Sequence, residues 1–476
     1  MKPLLINGDW VLTSHGVENV NPSDVSDTID LYAQAGRAET QTAIRGAKHA
    51  AIEWGFSTPQ QRHDILHKVG VEILARNEEL GRLLAREEGK ILTEAMAEAK
   101  RAGQIFLFFA GEALRQSGDI LASTRPDISV EVTREPIGVV GIIAPWNFPL
   151  AIPAWKIAPA LCYGNAVVFK PAELVPGCAW ALAEILHRSG LPQGVFNLVM
   201  GPGSVVGQTM LEDPAIDAIT FTGSQATGAR VAAASLPMLR KIQLEMGGKN
   251  PLVVLDDADL DVAVQCAVDG AFFSTGQRCT ASSRLIVTEG IHDRFVSALA
   301  ERVSALRVGH ALAATTQIGP VVDSAQLDQN ERYIALAKAQ GGVLRAGGAR
   351  VRCETDGYFL HPALITQTHP DMSINQDEVF GPVASVIRVR DYEDALQTAN
   401  ASPFGLSGGI CTTRLKYAND FKRKAQVGMV MVNLPTAGVD YHVPFGGTKS
   451  SSYGPREQGR YAAEFYTSVK TAYLGL

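Results

Sequence analysis

One cysteine of this 476-residue chain keeps unusual company. In FFSTGQRCTASSR, Cys279 stands among Gly276, Gln277, Arg278, Thr280 and Ser282, whereas an inert structural cysteine normally packs with apolar side chains. Backbone amides and a neighbouring cation favour the thiolate, the nucleophilic form, and a glycine-bearing polar loop supplies both. A thiol nucleophile also needs a base or a lowered pKa. The nearest histidine, His292, follows at a distance, so no local cysteine–histidine pair is signalled and any partner comes from elsewhere in the chain.

Further stretches carry groups suited to the same chemistry. In QLEMGGKNP, Glu245 lies between Leu244 and Met246, and apolar surroundings raise a carboxyl pKa towards that of a general base near neutrality. The plainer alternative is a strand-end glutamate facing water. In APWNFP, Asn147 sits between Trp146 and Phe148 in a proline-bounded turn. A rigid amide there donates either to a developing oxyanion or to its own backbone. FTGS (221–224) ends a strand and opens a helix, so Ser224 and the helix N-terminus suit a pyrophosphate. FKPAE puts Lys170 and Glu173 just past a strand's carboxyl end, where open α/β sheets bind ligands. GPGSVVG (201–207) is GxGxxxG rather than GxGxxG, and is weak alone.

The elements that must position these groups follow an α/β rhythm. Residues 40–118 repeat Ala, Glu, Arg and Leu at helical spacing. ISVEVTREPIGVVGIIAPWN then turns β-branched and reads as two strands. From GNAVVFKPAE onwards strands and helices alternate, as in a parallel sheet covered by helices. The rhythm restarts at residues 251–255, where Asp257 is the expected cap of the helix leading to Cys279. A lobe boundary near Gly247 and Gly248 and a cleft between two α/β lobes are expected. FLHPALI and VGMVMVN read as later strands. EFYTSVKTAYLGL reads as a final strand whose open edge suits pairing with another subunit.

Composition excludes other classes. The chain is 46% hydrophobic and 19% charged, with a net charge of −6 and no basic run, so nucleic acid is not expected as a partner. Six cysteines show no metal or disulfide framework, no paired ligands are expected among the ten histidines, and no metal is expected. This usage suits a reducing cytoplasm. The uncharged run from Ile137 to Trp155 has the length of a membrane span. Pro145, Pro149 and Pro153 argue instead for a buried strand, a turn and a helix start. MKPLLINGDWVL reads as a hairpin about Asn7 and Gly8 rather than a signal peptide. A membrane is therefore not expected as a partner.

Seven motifs in order (PWNFP, KPAE, FTGS, LEMGGKNP, GQRC, EVFGPV and PFGGTKSS) resemble the aldehyde dehydrogenase superfamily over essentially the whole chain. The resemblance implies an α/β fold with three parts. These are a Rossmann-like cofactor domain (1–117 and 137–246), an α/β catalytic domain (247–450) and a small β oligomerisation arm (118–136 and 451–476). It implies a homodimer or homotetramer using NAD+, NADP+ or both to oxidise a small aldehyde. In that light Cys279 becomes the nucleophile and Glu245 the base, while Asn147 and the Cys279 amide become the oxyanion hole. Lys156 and Glu457 fall at the positions of a proton path. Lys170 and Glu173 would hold the adenine ribose, and Gly223 and Ser224 the pyrophosphate. Glu378 and Phe380 would position the nicotinamide ribose and ring, and Trp146 falls among the cofactor-binding residues. Glu173 repels a 2′-phosphate and Lys170 attracts one, so NAD+ with some NADP+ use is expected.

Substrate choice is read from fewer residues. Arg278 either reaches a carboxylate at the far end of a semialdehyde or faces away and braces its loop. Arg115 and the loop 433–447 are expected at the entrance, with Phe106, Phe109, Phe148 and Trp155 as apolar walls. GQRCTASSRLIV with VDYHVPFGGTKSSSYGPREQG is most similar to the family's bacterial branch acting on α-ketoglutaric semialdehyde. Succinate semialdehyde, betaine aldehyde and aliphatic aldehydes are the alternatives. From another class, a cofactor-independent thiol esterase would use Cys279 and Glu245 but leave KPAE and EVFGPV without a purpose. A non-catalytic relative is disfavoured by the presence of nucleophile, base and oxyanion residue together.

Overall fold

A computed structural model describes residues 1–475; Leu476, the last residue of the expected arm, lies outside the described residues. Its first layer is an eight-stranded sheet. Its order is Asp9–Val11, Leu4–Ile6, Phe196–Leu198, Ala166–Lys170, Val139–Ile143, Ala218–Thr222, Lys241–Glu245 and Ser452–Tyr453. The five strands from Phe196–Leu198 to Lys241–Glu245 run parallel, with antiparallel strands at both edges. The chain moves outward from Val139–Ile143 in one direction, then returns to add Ala218–Thr222 on its other side. The crevice past the carboxyl ends of those two neighbours is therefore the topological switch point, where ligands bind in such sheets.

The second sheet has seven strands, in the order Val343–Ala346, Ala363–Thr368, Val383–Val389, Ser282–Thr288, Asn250–Val254, Ser407–Cys411 and Met429–Val432. Only Val343–Ala346 pairs antiparallel. The loops bearing Cys279 and Glu378 enter the amino ends of its strands, whereas Asn147 and Glu245 leave the carboxyl ends of the first sheet's strands. The two sets of loops form the site.

Local chemistry explains most of these elements. Asn7 and Gly8 both have positive φ, as a type I′ turn requires, and the hairpin pairs Ile6 with Asp9. The uncharged run resolves into the strand Val139–Ile143, a turn, and the wholly buried helix Ala151–Cys162. Asp257 does not cap its helix. Asp259 does, accepting from Val262 N, while Asp257 accepts from Thr412, Thr413 and Arg414 across the sheet. The strand in FLHPALI begins only at Ala363, after Pro362, which has no N–H to give a ladder. His63 and His67 correct the reading of unpaired histidines. They stack one turn apart with ring centroids 5.6 Å apart, and no group of three or more ligating side chains placed to hold a metal ion occurs among the described residues.

Thr467–Gly475 runs antiparallel to Ile128–Pro136 in a three-stranded sheet with Asp119–Ala122. Not all of residues 451–475 go there, since Ser452–Tyr453 return to the edge of the first sheet beside Glu245. No helix among the described residues is long and apolar enough to cross a membrane.

Candidate active site

The cysteine loop is built from strained backbone. After the helix Leu260–Ala271, the consecutive residues Ser274, Thr275 and Gly276 take φ of 50°, 54° and 65°. A Cβ on Gly276 would lie 2.2 Å from the Gly381 carbonyl oxygen, so only glycine passes there. Ser274 N donates to Glu94 at 2.9 Å, Gln277 Oε1 accepts from Val322 N at 3.0 Å, and the Cys279 carbonyl accepts from Asn250 Nδ2 at 2.7 Å. Burial, reinforced by the Glu378 and Glu245 carboxylates, pushes the Cys279 thiol up to about 12. This corrects the expectation of a favoured thiolate. The amides of Cys279 and Thr280 do pull it down, but by less than burial raises it.

Asn147 is buried, and one N–H of its side-chain amide donates to the Gln277 carbonyl at 2.9 Å. This ties it to the cysteine loop while its second N–H has no partner among the described residues. Its backbone carbonyl accepts from Lys90 Nζ at 2.7 Å. Lys90 also donates to Glu98 at 2.8 Å, and the other Glu98 oxygen accepts from the Leu150 and Ala151 amides. Neither Lys90 nor Glu98 was found from the sequence, although EEGK and the helical spacing of Glu94, Glu98 and Arg101 were available signals.

Glu245 ends the strand Lys241–Glu245, in register with Ser452, whose Oγ donates to its Oε2 at 2.6 Å. Burial raises its carboxyl to about 8 against the opposing pull of Ser452, Lys156 and Arg456. Behind it, Lys156 and Glu457 form an ion pair with both side chains fully buried. Lys156 Nζ donates to Thr220 Oγ1 at 2.7 Å, and burial raises the Glu457 carboxyl.

Cys279, Phe148 and Arg278 line one cavity of about 260 Å³ with Lys90, Glu94, Glu98, Arg101, Trp155 and Phe445. Two expected wall residues lie elsewhere, since Phe106 and Phe109 are fully buried in the core. Arg115 is exposed and pairs with Glu112 at 3.0 Å, away from the cavity. Gly438, Val439 and Phe445 bring in the expected loop 433–447.

At the switch point, a second cleft of about 760 Å³ gathers Trp146, Lys170, Glu173, Gly223 and Ser224. Ser224 caps the helix Gln225–Ser235, whose N-terminus opens on this cleft. Thr222 Oγ1, on its wall, is buried without a partner. Glu173 accepts from Gly203 N at 2.9 Å, and Lys170 Nζ stands 3.9 Å from Glu173. A Cβ on Gly203 or Gly207 would fill space beside the Lys170 side chain, at 3.9 and 4.0 Å. Carboxylate, ammonium and helix N-terminus suit ribose hydroxyls and a pyrophosphate, so the residues fit a dinucleotide. Trp146 and Phe380 meet edge to face at 5.3 Å, and Glu378 accepts from Gly248 N at 2.8 Å with burial raising its carboxyl to about 7.

The family model for the aldehyde dehydrogenase family matches residues 10–472. This chain belongs to the aldehyde dehydrogenase family. Among its relatives in this family, the α-ketoglutaric semialdehyde dehydrogenase of Bacillus subtilis (strain 168) is 42% identical, over 98% of this chain and 97% of that one. The α-ketoglutarate semialdehyde dehydrogenase of Haloferax volcanii is 40% identical, over 98% of each chain. The crystal structure of betaine aldehyde dehydrogenase from Staphylococcus aureus in complex with NAD+ has a TM-score of 0.97 and 33% identity, covering 100% of this chain and 95% of that one. The aldehyde dehydrogenase fold is thus shared along the whole length.

Proposed function

We propose that this aldehyde dehydrogenase oxidises α-ketoglutaric semialdehyde to 2-oxoglutarate with NAD+. The chemistry is supported by the cluster around Cys279, where the Asn147 amide bonds the Gln277 carbonyl of the cysteine loop and the field of the Glu245 carboxyl reaches the thiol. The substrate is supported by the names of the relatives at 42% and 40% identity. The cofactor is supported by the donor set at the switch point.

Cys279 is the nucleophile. With its thiol pushed up to about 12 in the unliganded protein, it gives up a proton before or during attack. The new oxyanion is met by the second N–H of Asn147 and the Cys279 amide, each donor lowering the barrier by about 3–4 kcal/mol in comparable sites. When bound, the nicotinamide supplies the hydride acceptor that turns the thiohemiacetal into a thioester. Glu245 then takes a proton from the water that hydrolyses the thioester, and Lys156 and Glu457 carry that proton away.

Lys170 and Glu173 hold the adenine ribose, Gly223 and Ser224 the pyrophosphate, and Glu378 and Phe380 the nicotinamide end, with Trp146 also on the cofactor. The cofactor domain comprises 1–117 and 137–246, the catalytic domain 247–450, and the arm the strands around 118–136 and 467–475. The open edge of Thr467–Gly475 supports pairing with a second copy as a dimer or tetramer. Six free cysteines fit a cytoplasmic protein.

The test is NAD(P)H formation at 340 nm with α-ketoglutaric semialdehyde, succinate semialdehyde, betaine aldehyde and propanal, using each cofactor. A kcat/KM at least tenfold higher for the first substrate is expected, corresponding to about 1.4 kcal/mol of transition-state binding. A flat profile removes the substrate assignment and leaves the dehydrogenase.

A further inference from the structure

The substrate cavity carries more positive charge than its own carboxylates neutralise. Three cations line it: Lys90, Arg101 and Arg278. Lys90 is matched, since it pairs with Glu98 at 2.8 Å and lies 3.9 Å from Glu88. Glu98 is then fully used, by Lys90 and by two backbone amides. Glu94 accepts from Ser274 N, and its charge offsets part of that of Arg278 without an ion pair. The two guanidinium groups are held only by neutral acceptors, Arg278 by the Asp269 carbonyl and Arg101 by Gln458 Oε1 at 3.0 Å. Neither is in an ion pair among the described residues, and the Nε of each is buried without a partner. A shielded guanidinium without a counter-ion is costly, and a planar fork of donors fits a carboxylate.

Of the two, Arg101 is the one placed by regular secondary structure. It lies on the helix Leu92–Ala113, one turn beyond Ala97 and Glu98 on the face that lines the cavity. Its guanidinium carbon stands 5.8 Å from the Trp155 ring centroid, which fixes its plane beside the apolar wall. Glu98, Asp440 and the Cys279 thiol are the acidic groups whose fields reach it, and none pairs with it.

We infer that Arg101 is a specificity-determining residue that binds the carboxylate of the aldehyde substrate, with Arg278 as the second cation of the clamp. This deepens the proposed function and rests on it for the reaction. The substrate class is an aldehyde bearing a carboxylate at its far end. The same charges repel a quaternary-ammonium aldehyde, so the clamp selects against that class as well as for its own.

The test separates the clamp from the reaction. Binding of 2-oxoglutarate, as a non-reacting carboxylate, is titrated by calorimetry in the wild type, Arg101→Met and Arg101→Lys. The semialdehyde-to-propanal ratio of kcat/KM is measured in the same three proteins. Methionine keeps the unbranched stem against Trp155, and a folded variant is verified by circular dichroism; Arg101→Lys, which keeps the charge but loses the fork, serves if the first variant is unfolded. In Arg101→Met, roughly 10- to 100-fold weaker binding and a similar fall in the ratio are expected, with Arg101→Lys between. Unchanged binding, a ratio within twofold of the wild type, or no 2-oxoglutarate binding by the wild type overturns the clamp, even where the semialdehyde remains the preferred substrate. Arg101-dependent binding in a wild type that shows no preference for the semialdehyde supports the anion site and removes the substrate assignment instead.

Discussion

Lys90 and Glu98 form a buried ion pair that grips both sides of the turn carrying Asn147. Lys90 Nζ donates to the Asn147 carbonyl, and Glu98 accepts from the Leu150 and Ala151 amides just beyond. The turn that carries Asn147 is therefore braced from outside its own segment, by Lys90 just before the helix Leu92–Ala113 and by Glu98 on it. Lys90→Met leaves Glu98 buried without its counter-charge, a loss of about 3–5 kcal/mol. A fall in midpoint on urea denaturation together with a lower kcat is expected. A stable variant with unchanged kcat would show that the turn holds itself.

Glu245→Gln separates the two half-reactions. A burst of NADH equal to the number of sites is expected, followed by turnover reduced by about 10²–10⁴-fold, since an amide cannot take the proton of water. Stopped-flow absorbance at 340 nm checks it. A wild-type steady-state rate would falsify the assignment of the base.

The Glu245 carboxyl is raised to about 8, so at pH 7 only about a tenth of the sites hold the basic form. Thioester hydrolysis is expected to rise with pH and level off above that value. The Ser452 hydroxyl donates to the ionised carboxylate and so favours it. Ser452→Ala removes about 1 kcal/mol of that preference and should move the rise to higher pH by roughly 0.7 units. A pH–rate profile of the deacylation step that stays put, or moves down, contradicts this geometry.

Alkylation measures the nucleophile directly. With its thiol pushed up to about 12, Cys279 in the unliganded protein should react with iodoacetamide slowly at pH 7. The rate should climb about tenfold per pH unit through pH 10. A plateau below pH 8 would mean a thiolate already present.

The proposed cofactor placement makes Glu173 the residue that discriminates against NADP+. Glu173 stands 3.9 Å from Lys170 in the switch-point cleft, and on this placement Glu173→Gln removes a like-charge repulsion towards a 2′-phosphate of about 1 kcal/mol. The NADP+ to NAD+ ratio of kcat/KM should rise about fivefold. A ratio that does not change would place the discrimination on other residues of the cleft.

Much of the site is legible in the sequence because its chemistry is written in short segments. Asn147, Cys279 and Glu245 each stand in a stretch marked by glycine or proline, and in the fold Asn147 bonds the cysteine loop while the field of Glu245 reaches the Cys279 thiol. Of the cations lining the cavity, Arg278 was legible but Lys90 and Arg101 were not. Glu94, Glu98 and Arg101 recur on one helical face, but in an Ala/Glu/Arg-rich segment that reads as a solvated surface, and only burial against the turn at Asn147 changes their meaning. Arg115 illustrates the converse. It is a cation on the same helical segment, yet it lies past the end of the helix in solvent, paired with Glu112.

The sequence by itself determined the alternation of strands and helices, the hairpin at Asn7 and Gly8, and the order of the motifs. These depend on backbone preferences and side-chain periodicity, which act over a few residues. Tertiary structure alone decided which acid capped the helix before Cys279, which strand faced Glu245, and whether the thiol was ionised. Each of those depends on groups far apart in the chain. Asp257 is taken by Thr412 and Thr413, Ser452 arrives from the C-terminal return, and the carboxylates of Glu245 and Glu378 surround Cys279 only once the two sheets are packed. Burial then multiplies every such interaction, because water no longer screens it.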